Sequence, residues 1–234
     1  MNKPRIFPLS TDALTVEFGN EISEKLNRRA VNLSRYFEEN RFNGFIETFP
    51  AYASLTIFYD LYKVKKAFPA FSTAFAAVKD LVENALEILC ETEEIKSSLV
   101  EIPVSFATEF APDLEFVSET KNLLPEKVIE IFTSRIYRVF MLGFLPGFAY
   151  LGKVDERIAV PRKDSPRVKV PKGSVGIAGQ QTGIYPLESP GGWQIIGRTN
   201  LEMFTPESEN PCLLQVGDLV KFIEADKIGG KKVI

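Results

Sequence analysis

The order of apolar and polar positions predicts a helix-bearing first third and a strand-rich remainder. Residues 14–18 (LTVEF) alternate apolar and polar and predict a strand stopped by Gly19. From 21 to 40, Ile22, Leu26, Ala30, Leu33 and Phe37 recur at three- and four-residue spacing. That is the stripe of an amphipathic helix, with Arg28, Arg29, Arg35 and Glu38 on its wet side. Residues 46–59 (IETFPAYASLTIFY) predict two strands or one bent strand, and Pro50 argues for a break because proline is excluded from the middle of a paired strand. Ser72 or Thr73 can cap a second helix whose stripe is Phe71, Phe75, Val78, Val82, Ala85 and Leu89. With a further strand at 99–105 (LVEIPVS), the first third reads βαββαβ, a pattern compatible with a ferredoxin-like α/β sandwich with both helices on one face. The polar segment 91–98 (ETEEIKSS) marks the boundary, giving domains 1–95 and 96–234.

Beyond it, Pro112 and Pro125 stand just ahead of two short helical patterns, as prolines in first helical turns do. Residues 136–142 (IYRVFML) predict a buried strand. Gly217 and Asp218 can turn a hairpin between Leu213 and Phe222, and the final IGGKKVI reads as a tail or an edge strand. Ten of the fifteen glycines and six of the fifteen prolines fall within residues 140–199. Glycine permits positive φ and close backbone approach, and proline fixes φ and removes a donor, so this stretch cannot be a long helix. Many short strands with turn signals imply a closed or nearly closed β-barrel, and the fold class is α+β.

The 234 residues carry 28 Lys and Arg against 31 Asp and Glu, a net charge of −3, so nothing electrostatic points to nucleic acid or an anionic membrane. No apolar run approaches a membrane span, the first residues lack the apolar core of a secretory signal, and Cys90 and Cys212 are too isolated for a disulfide framework. These readings place the chain in the cytoplasm and give it no metal site. The chain contains no histidine, which excludes a Ser-His-Asp or Cys-His catalytic unit within it. Any proton transfer must use other side chains, water, the substrate or a second protein.

Four constellations carry the candidate chemistry. GFLPGFAYLG (143–152) sets Phe144, Phe148 and Tyr150 around the Pro146-Gly147 turn, reading either as a packed barrel end or as the aromatic wall of a ligand pocket. PRKDSPRVKVPKGS (161–174) places Arg162 and Arg167 five residues apart, each after a proline; the guanidinium fork suits a carboxylate or phosphate. GSVGIAGQQTGIYP (173–186) combines four glycines with Gln180, Gln181, Thr182 and Tyr185, lacks the P-loop ending, and offers turn backbone N–H groups for an anion. SPGGWQIIGRT (189–199) holds the only tryptophan, Trp193, a core anchor or a pocket wall, and Arg198.

The run GFLPGFAYLG followed by PRKDSPRVKVPKGSVGIAGQQTGIYPLESPGGWQIIGRT resembles the signature of the KipI / allophanate-hydrolase-subunit-1 family, whose members include the B components of ATP-dependent 5-oxoprolinases and an inhibitor of a sporulation histidine kinase. LTVEFGNEISEKLNRRA, FPAYASLTIFYD and the IPVSF and PDLEFV segments fall in family order. The resemblance implies an N-terminal ferredoxin-like domain and a C-terminal cyclophilin-like β-barrel. It implies a B component that works with a C component of the allophanate-hydrolase-subunit-2 (KipA) type and an A component of the LamB/YcsF type. Such complexes open 5-oxo-L-proline to L-glutamate with ATP as cosubstrate. Inhibition of a sensor histidine kinase and an allophanate-hydrolase or urea-carboxylase role are the alternatives within the family. On this reading Arg162, Arg167 and Arg198 serve anion binding, and Gln181, Thr182 and Tyr185 make polar substrate contacts. Phe144, Pro146, Phe148, Tyr150 and Trp193 form the apolar wall, and no residue is assigned catalysis. Two positions depart from the family pattern: Phe132 stands where members carry a histidine, and Phe106-Ala107-Thr108 where they carry Tyr-Gly-Gly.

Overall fold

A hairpin of β1 (Arg5–Ser10) and β2 (Ala13–Glu17) opens the chain in a computed structural model that describes residues 3–89 and 97–225. Then come α1 (Glu24–Glu39), the hairpin β3 (Phe45–Pro50) and β4 (Ser54–Tyr59), the short α2 (Leu61–Ala67) and α3 (Ala74–Ile88). The four strands form one antiparallel sheet in the order β1-β2-β4-β3. Leu33 and Phe37 of α1 pack with Val78 and Val82 of α3 and with Leu14, Leu55 and Ile57 of the sheet in one buried cluster. Each such side chain contributes about 1.5–3 kcal/mol by leaving water. Thr73 caps α3 by accepting from the Ala76 N–H at 3.0 Å, and Asp60 caps α2 in the same way through Lys63.

The chain divides into two compact units, Met1–Lys96 and Ser97–Ile234. The second unit contains β5 (Leu99–Val104), α4 (Leu114–Lys121), α5 (Pro125–Ser134), β6 (Ile136–Leu142), β7 (Ala149–Gly152), β8 (Arg167–Val170), β9 (Ser174–Ala178), β10 (Gln181–Ile184), β11 (Ser189–Gly191), β12 (Gln194–Arg198) and β13 (Leu219–Glu224). Seven strands form a sheet in the order β12-β9-β10-β7-β6-β13-β5. Its two edges meet where Ser105 and Arg198 exchange backbone hydrogen bonds of 2.8 and 2.9 Å, so the sheet is nearly closed into a barrel. Val139, Leu151, Ile177, Ile184 and Val220 belong to its buried cluster. The ribbon β8–β11 stands apart from this sheet.

Three expectations change. The 99–105 strand does not complete the N-terminal sheet: β5 pairs in parallel with β13, and the place beside β2 is taken by β1. The first third therefore lacks the sixth element of βαββαβ. The Gly217-Asp218 turn is present, with Asp218 accepting from Gln215 N–H at 2.8 Å, but it leads into β13 alone. β13 finds its partners in β5 and β6 instead of in residues 213–216. Pro125 is the first residue of α5, whereas Pro112 precedes Asp113, the N-cap residue of α4. Cys90, most of the 91–98 boundary and the IGGKKVI segment lie outside the described residues. Among the described residues no helix is long and apolar enough to cross a membrane.

Asp155, just past β7, accepts from the Arg157 backbone at 3.0 Å, from its Nε at 3.0 Å and Nη2 at 2.9 Å, and from Arg135 Nη1 at 2.9 Å. The Arg157 side-chain hydrogen bonds, then its backbone N–H, hold the carboxyl well below the usual range. A carboxyl whose folded pKa is depressed stabilises above its unfolded pKa of about 3.9 and loses that contribution as pH falls toward the folded value. Asp155→Asn is expected to lower stability by about 1 kcal/mol at pH 7, the screened arginine pairs keeping the figure small. In urea titrations the gap between variant and parent should close as pH is lowered from 5; a gap of the same size at every pH would contradict the assignment.

Candidate functional site

Alternation along a strand sends neighbouring side chains to opposite faces, and the barrel strands use both. Leu151, Ile177 and Ile184 enter the barrel cluster, while Phe148, Ala178, Tyr185, Trp193 and Ile195 form a second cluster on the other face, with Tyr150 against it. Glycines floor this second cluster. Gly183 lies opposite both Gly176 and Tyr150. A Cβ on Gly183 would stand 3.1 Å from ring atoms of both Phe148 and Trp193, and one on Gly176 would stand 3.0 Å from the Trp193 Cβ. The missing side chains make the space in which the rings lie.

Phe148 is the hub, with ring centroids 4.8 Å from Tyr150, 5.3 Å from Tyr185 and 5.5 Å from both Trp193 and Phe144. Phe144 sits at the tip of the turn between β6 and β7 with φ of 70° and is 60% exposed. A bulky residue in the left-handed region is strained, and such strain collects at ligand sites. On the other side, Lys163 N–H donates to the Gly192 carbonyl at 2.7 Å, tying the 161–166 arm to the residues before Trp193. This brings the Arg162 guanidinium to 5.8 Å from the Trp193 ring centroid.

These rings, Pro166, Pro190, Gly191, Gly192 and Arg162 line a cleft of about 250 Å3. Tyr185 is only 1% exposed, and burial raises its pKa, against the opposing effects of a Trp193 backbone hydrogen bond and Arg162. Burial raises that of Tyr150 as well, again opposed by Arg162. Both phenols are therefore protonated donors at neutral pH. No carboxylate lines the cleft among the described residues, and Arg162 has no ion-pair partner there. The arrangement suits a small flat molecule with one negative charge and hydrogen-bonding edges, and it offers no general base. Two larger hollows lie on the N-terminal unit, one of about 500 Å3 beside Lys25, Arg28 and Leu86 and one of about 630 Å3 beside Leu9 and Leu61. Neither converges phenols and aromatic faces on one point, so size alone does not select the site.

Of the residues singled out in sequence, Phe144, Phe148, Tyr150, Arg162, Tyr185 and Trp193 come together. The others lie elsewhere. Pro146 is exposed on the turn. Arg167 donates from Nη2 to Asp113 at 2.6 Å. Thr182 is fully buried, facing Ile177 and Leu151, and its hydroxyl donates to the Gly176 carbonyl at 2.9 Å. Gln181, half-buried at the start of β10, lies opposite Gly152 and Ala178. Arg198 donates from Nε to the Lys172 carbonyl at 2.9 Å and covers the Phe110 ring at 5.7 Å, so it secures the barrel seam. Sequence reasoning missed Asp113, 3% exposed, whose carboxylate also accepts from Ile195 N–H at 2.6 Å and Lys163 Nζ at 3.4 Å. Its only signal was an acid beside Pro112, which reads as a helix start. Phe132 and Phe106 both belong to the barrel core; Phe132 stacks on Phe222 at 4.8 Å and meets Phe106 at 6.3 Å, outside the cleft lining.

The fold is of a mixed α/β class, a nearly closed barrel sheet with an aromatic cleft on its outward face following an α/β unit in the chain. The chain belongs to the family described as the carboxyltransferase domain, subdomains C and D, whose model matches residues 4–214. The 5-oxoprolinase B subunit of Bacillus subtilis (strain 168) is 50% identical over 94% of this chain and 92% of its own length. The protein of that name from Escherichia coli O157:H7 is 41% identical over 70% of this chain and 79% of its own. The crystal structure of TTHA0988 superposes with a TM-score of 0.78 at 35% identity, and this chain, 91% covered, spans 40% of its length.

Proposed function

We propose that the protein is the B component of an ATP-dependent 5-oxoprolinase complex and that its cleft holds 5-oxo-L-proline. One observation carries the reading: an arginine without an ion-pair partner among the described residues faces two phenols inside a cage of aromatic rings. Arg162 would hold the substrate carboxylate, Tyr150 and Tyr185 the lactam edge, and Phe148 and Trp193 the ring faces. The relatives that carry the 5-oxoprolinase name over most of their length support the substrate. At about 250 Å3 the cleft is smaller than the roughly 300–1,000 Å3 of drug-sized sites, which fits the lactam and not a nucleoside triphosphate. We therefore assign ATP to the partner proteins, of the KipA and LamB/YcsF types, and place the assembly in the cytoplasm. An unstrained lactam is a poor electrophile, and phosphorylation of its amide oxygen makes a better one for water to attack. This chain's part is to bind and orient the lactam. We read the barrel as cyclophilin-like and the N-terminal unit as a ferredoxin-like layer in which β1 fills the place of the closing strand.

Co-expression with both partner types tests the reading. Glutamate should form from 5-oxoproline only with ATP and only when this chain is present. No glutamate from a folded, complete assembly would overturn it and return the histidine-kinase and carboxyl-transfer roles to the front. The lone tryptophan gives a second check on the isolated chain. Titration with 5-oxo-L-proline should change Trp193 emission, while L-proline should bind at least about tenfold more weakly, because its ammonium would be desolvated with no carboxylate to meet it. Equal response to both would count against the lactam assignment.

A further inference from the structure

We propose that Asp113, which lies outside the cleft, is a positioning residue that sets the distance between the arginine and the tryptophan of the site. The inference rests on the reading of the cleft as the substrate site. Asp113 joins three segments that are far apart in the chain. Its backbone N–H donates to the Ile195 carbonyl at 2.9 Å, and its Oδ2 accepts the Ile195 N–H at 2.6 Å. That pair of hydrogen bonds fixes β12 two residues after Trp193. Its Oδ1 accepts from Arg167 Nη2 at 2.6 Å and Lys163 Nζ at 3.4 Å, one on each side of Pro166 in the arm that carries Arg162. The two walls of the cleft, the Trp193 strand and the Arg162 arm, are tied at the arm's start by Lys163 N–H to the Gly192 carbonyl and Gln194 Nε2 to the Pro161 carbonyl. Asp113 adds a charged link that holds both to one carboxylate.

The chemistry explains why a charged group does this work. The arm is a short loop rich in proline and polar residues, with Arg162, Asp164, Ser165 and Pro166 all exposed, and little apolar burial of its own could hold it. A carboxylate can accept several charge-assisted hydrogen bonds at once, each shorter and stronger than a neutral one. The residue is 3% exposed, so these bonds escape most of the screening that weakens surface pairs. Arg167 Nη1 is buried although the side chain as a whole is 26% exposed, and removal of Asp113 alone would leave a partly buried guanidinium without its counter-charge. Replacing both partners removes that penalty without rebuilding the link between arm and strand.

This gives a test that separates positioning from stability. Three full-length variants are compared, Asp113→Asn, Arg167→Met and the double substitution; asparagine keeps an oxygen for Ile195 N–H and favours a folded product. In the isolated chain, iodide quenching of Trp193 should rise about twofold or more in all three. In the reconstituted complex, KM for 5-oxo-L-proline should rise on the order of tenfold with kcat within about twofold, the pattern of lost uniform binding. The double variant should recover melting temperature toward the parent while its KM stays raised. Unchanged quenching in a folded Asp113→Asn chain would overturn the proposal. So would a KM that returns to the parent value together with the melting temperature, since Asp113 would then act through stability alone. If the parent complex makes no glutamate but the quenching of all three variants rises, the substrate reading fails and the clamp stands.

Discussion

Arg162→Ala is expected to lower kcat/KM for 5-oxoproline in the assembled complex about 10- to 150-fold and to leave the melting temperature within about 4 °C. The range follows from removing one charged hydrogen-bonding partner, about 1.5–3 kcal/mol, at 1.36 kcal/mol per factor of ten. The small effect on stability follows from its surroundings: the side chain is exposed, carries no ion pair among the described residues, and touches the fold through the face of Trp193. Such a contact at an exposed site is worth about 0.5–1 kcal/mol. Arg162→Lys should recover only part of the loss, because an ammonium keeps the charge but neither the planar fork nor the stacking. Steady-state kinetics of the three proteins, with thermal melts as controls, decide the matter. Parent-like kinetics in the alanine variant would remove Arg162 from the site.

The second large effect is steric. Gly183→Ala would place a methyl group 2.8 Å from the Ala149 carbonyl oxygen and 3.1 Å from both the Phe148 and Trp193 rings. The carbonyl cannot give way, because β7 is hydrogen-bonded to β6 on one side and β10 on the other. The β10 backbone must shift away from it and the rings must move, and overpacking of this kind costs about 1–3 kcal/mol. The expected outcome is a melting temperature lower by several degrees and a red-shifted Trp193 emission. Response to 5-oxoproline should be lost even at temperatures where the protein is folded. Gly179→Ala is the matched control: it bears the strain of φ +60° but has nothing within 4 Å of the added carbon. It should lose about 1 kcal/mol of stability and keep the cleft. A Gly183→Ala protein with parent-like emission and binding would show that the floor is not what holds the rings.

The two long N-terminal helices were legible because their apolar stripes repeat over four turns, and Thr73 caps α3 as its side-chain chemistry suggests. β1 carries Pro8 and little burial, and α2 has seven residues, too few for a periodic signal. The strand at 99–105 was visible in the sequence, but its sheet was not, since its neighbour β13 lies over a hundred residues away and nothing local encodes that pairing. The candidate site divides in the same way. Clustered glycines and aromatics located it. Arg162 and Arg167 look alike in sequence, each following a proline, and only the distant Asp113 turns one inward and leaves the other at the rim. Thr182 and Gln181 are adjacent and so take opposite faces of β10, which sequence alone does not orient.

The position of β13 also bears on how the protein is made. Residues 219–224 lie between β5 and β6 in the barrel sheet, so two strands synthesised much earlier have no lateral partner on that side until residues 219–224 have emerged. A nascent chain would carry two unpaired apolar edges while residues 143–218 are made, the condition under which strands associate with other chains. Recombinant yield should therefore depend on chaperone supply during translation, and a ribosome stalled before residue 219 should release a product that aggregates instead of a smaller barrel.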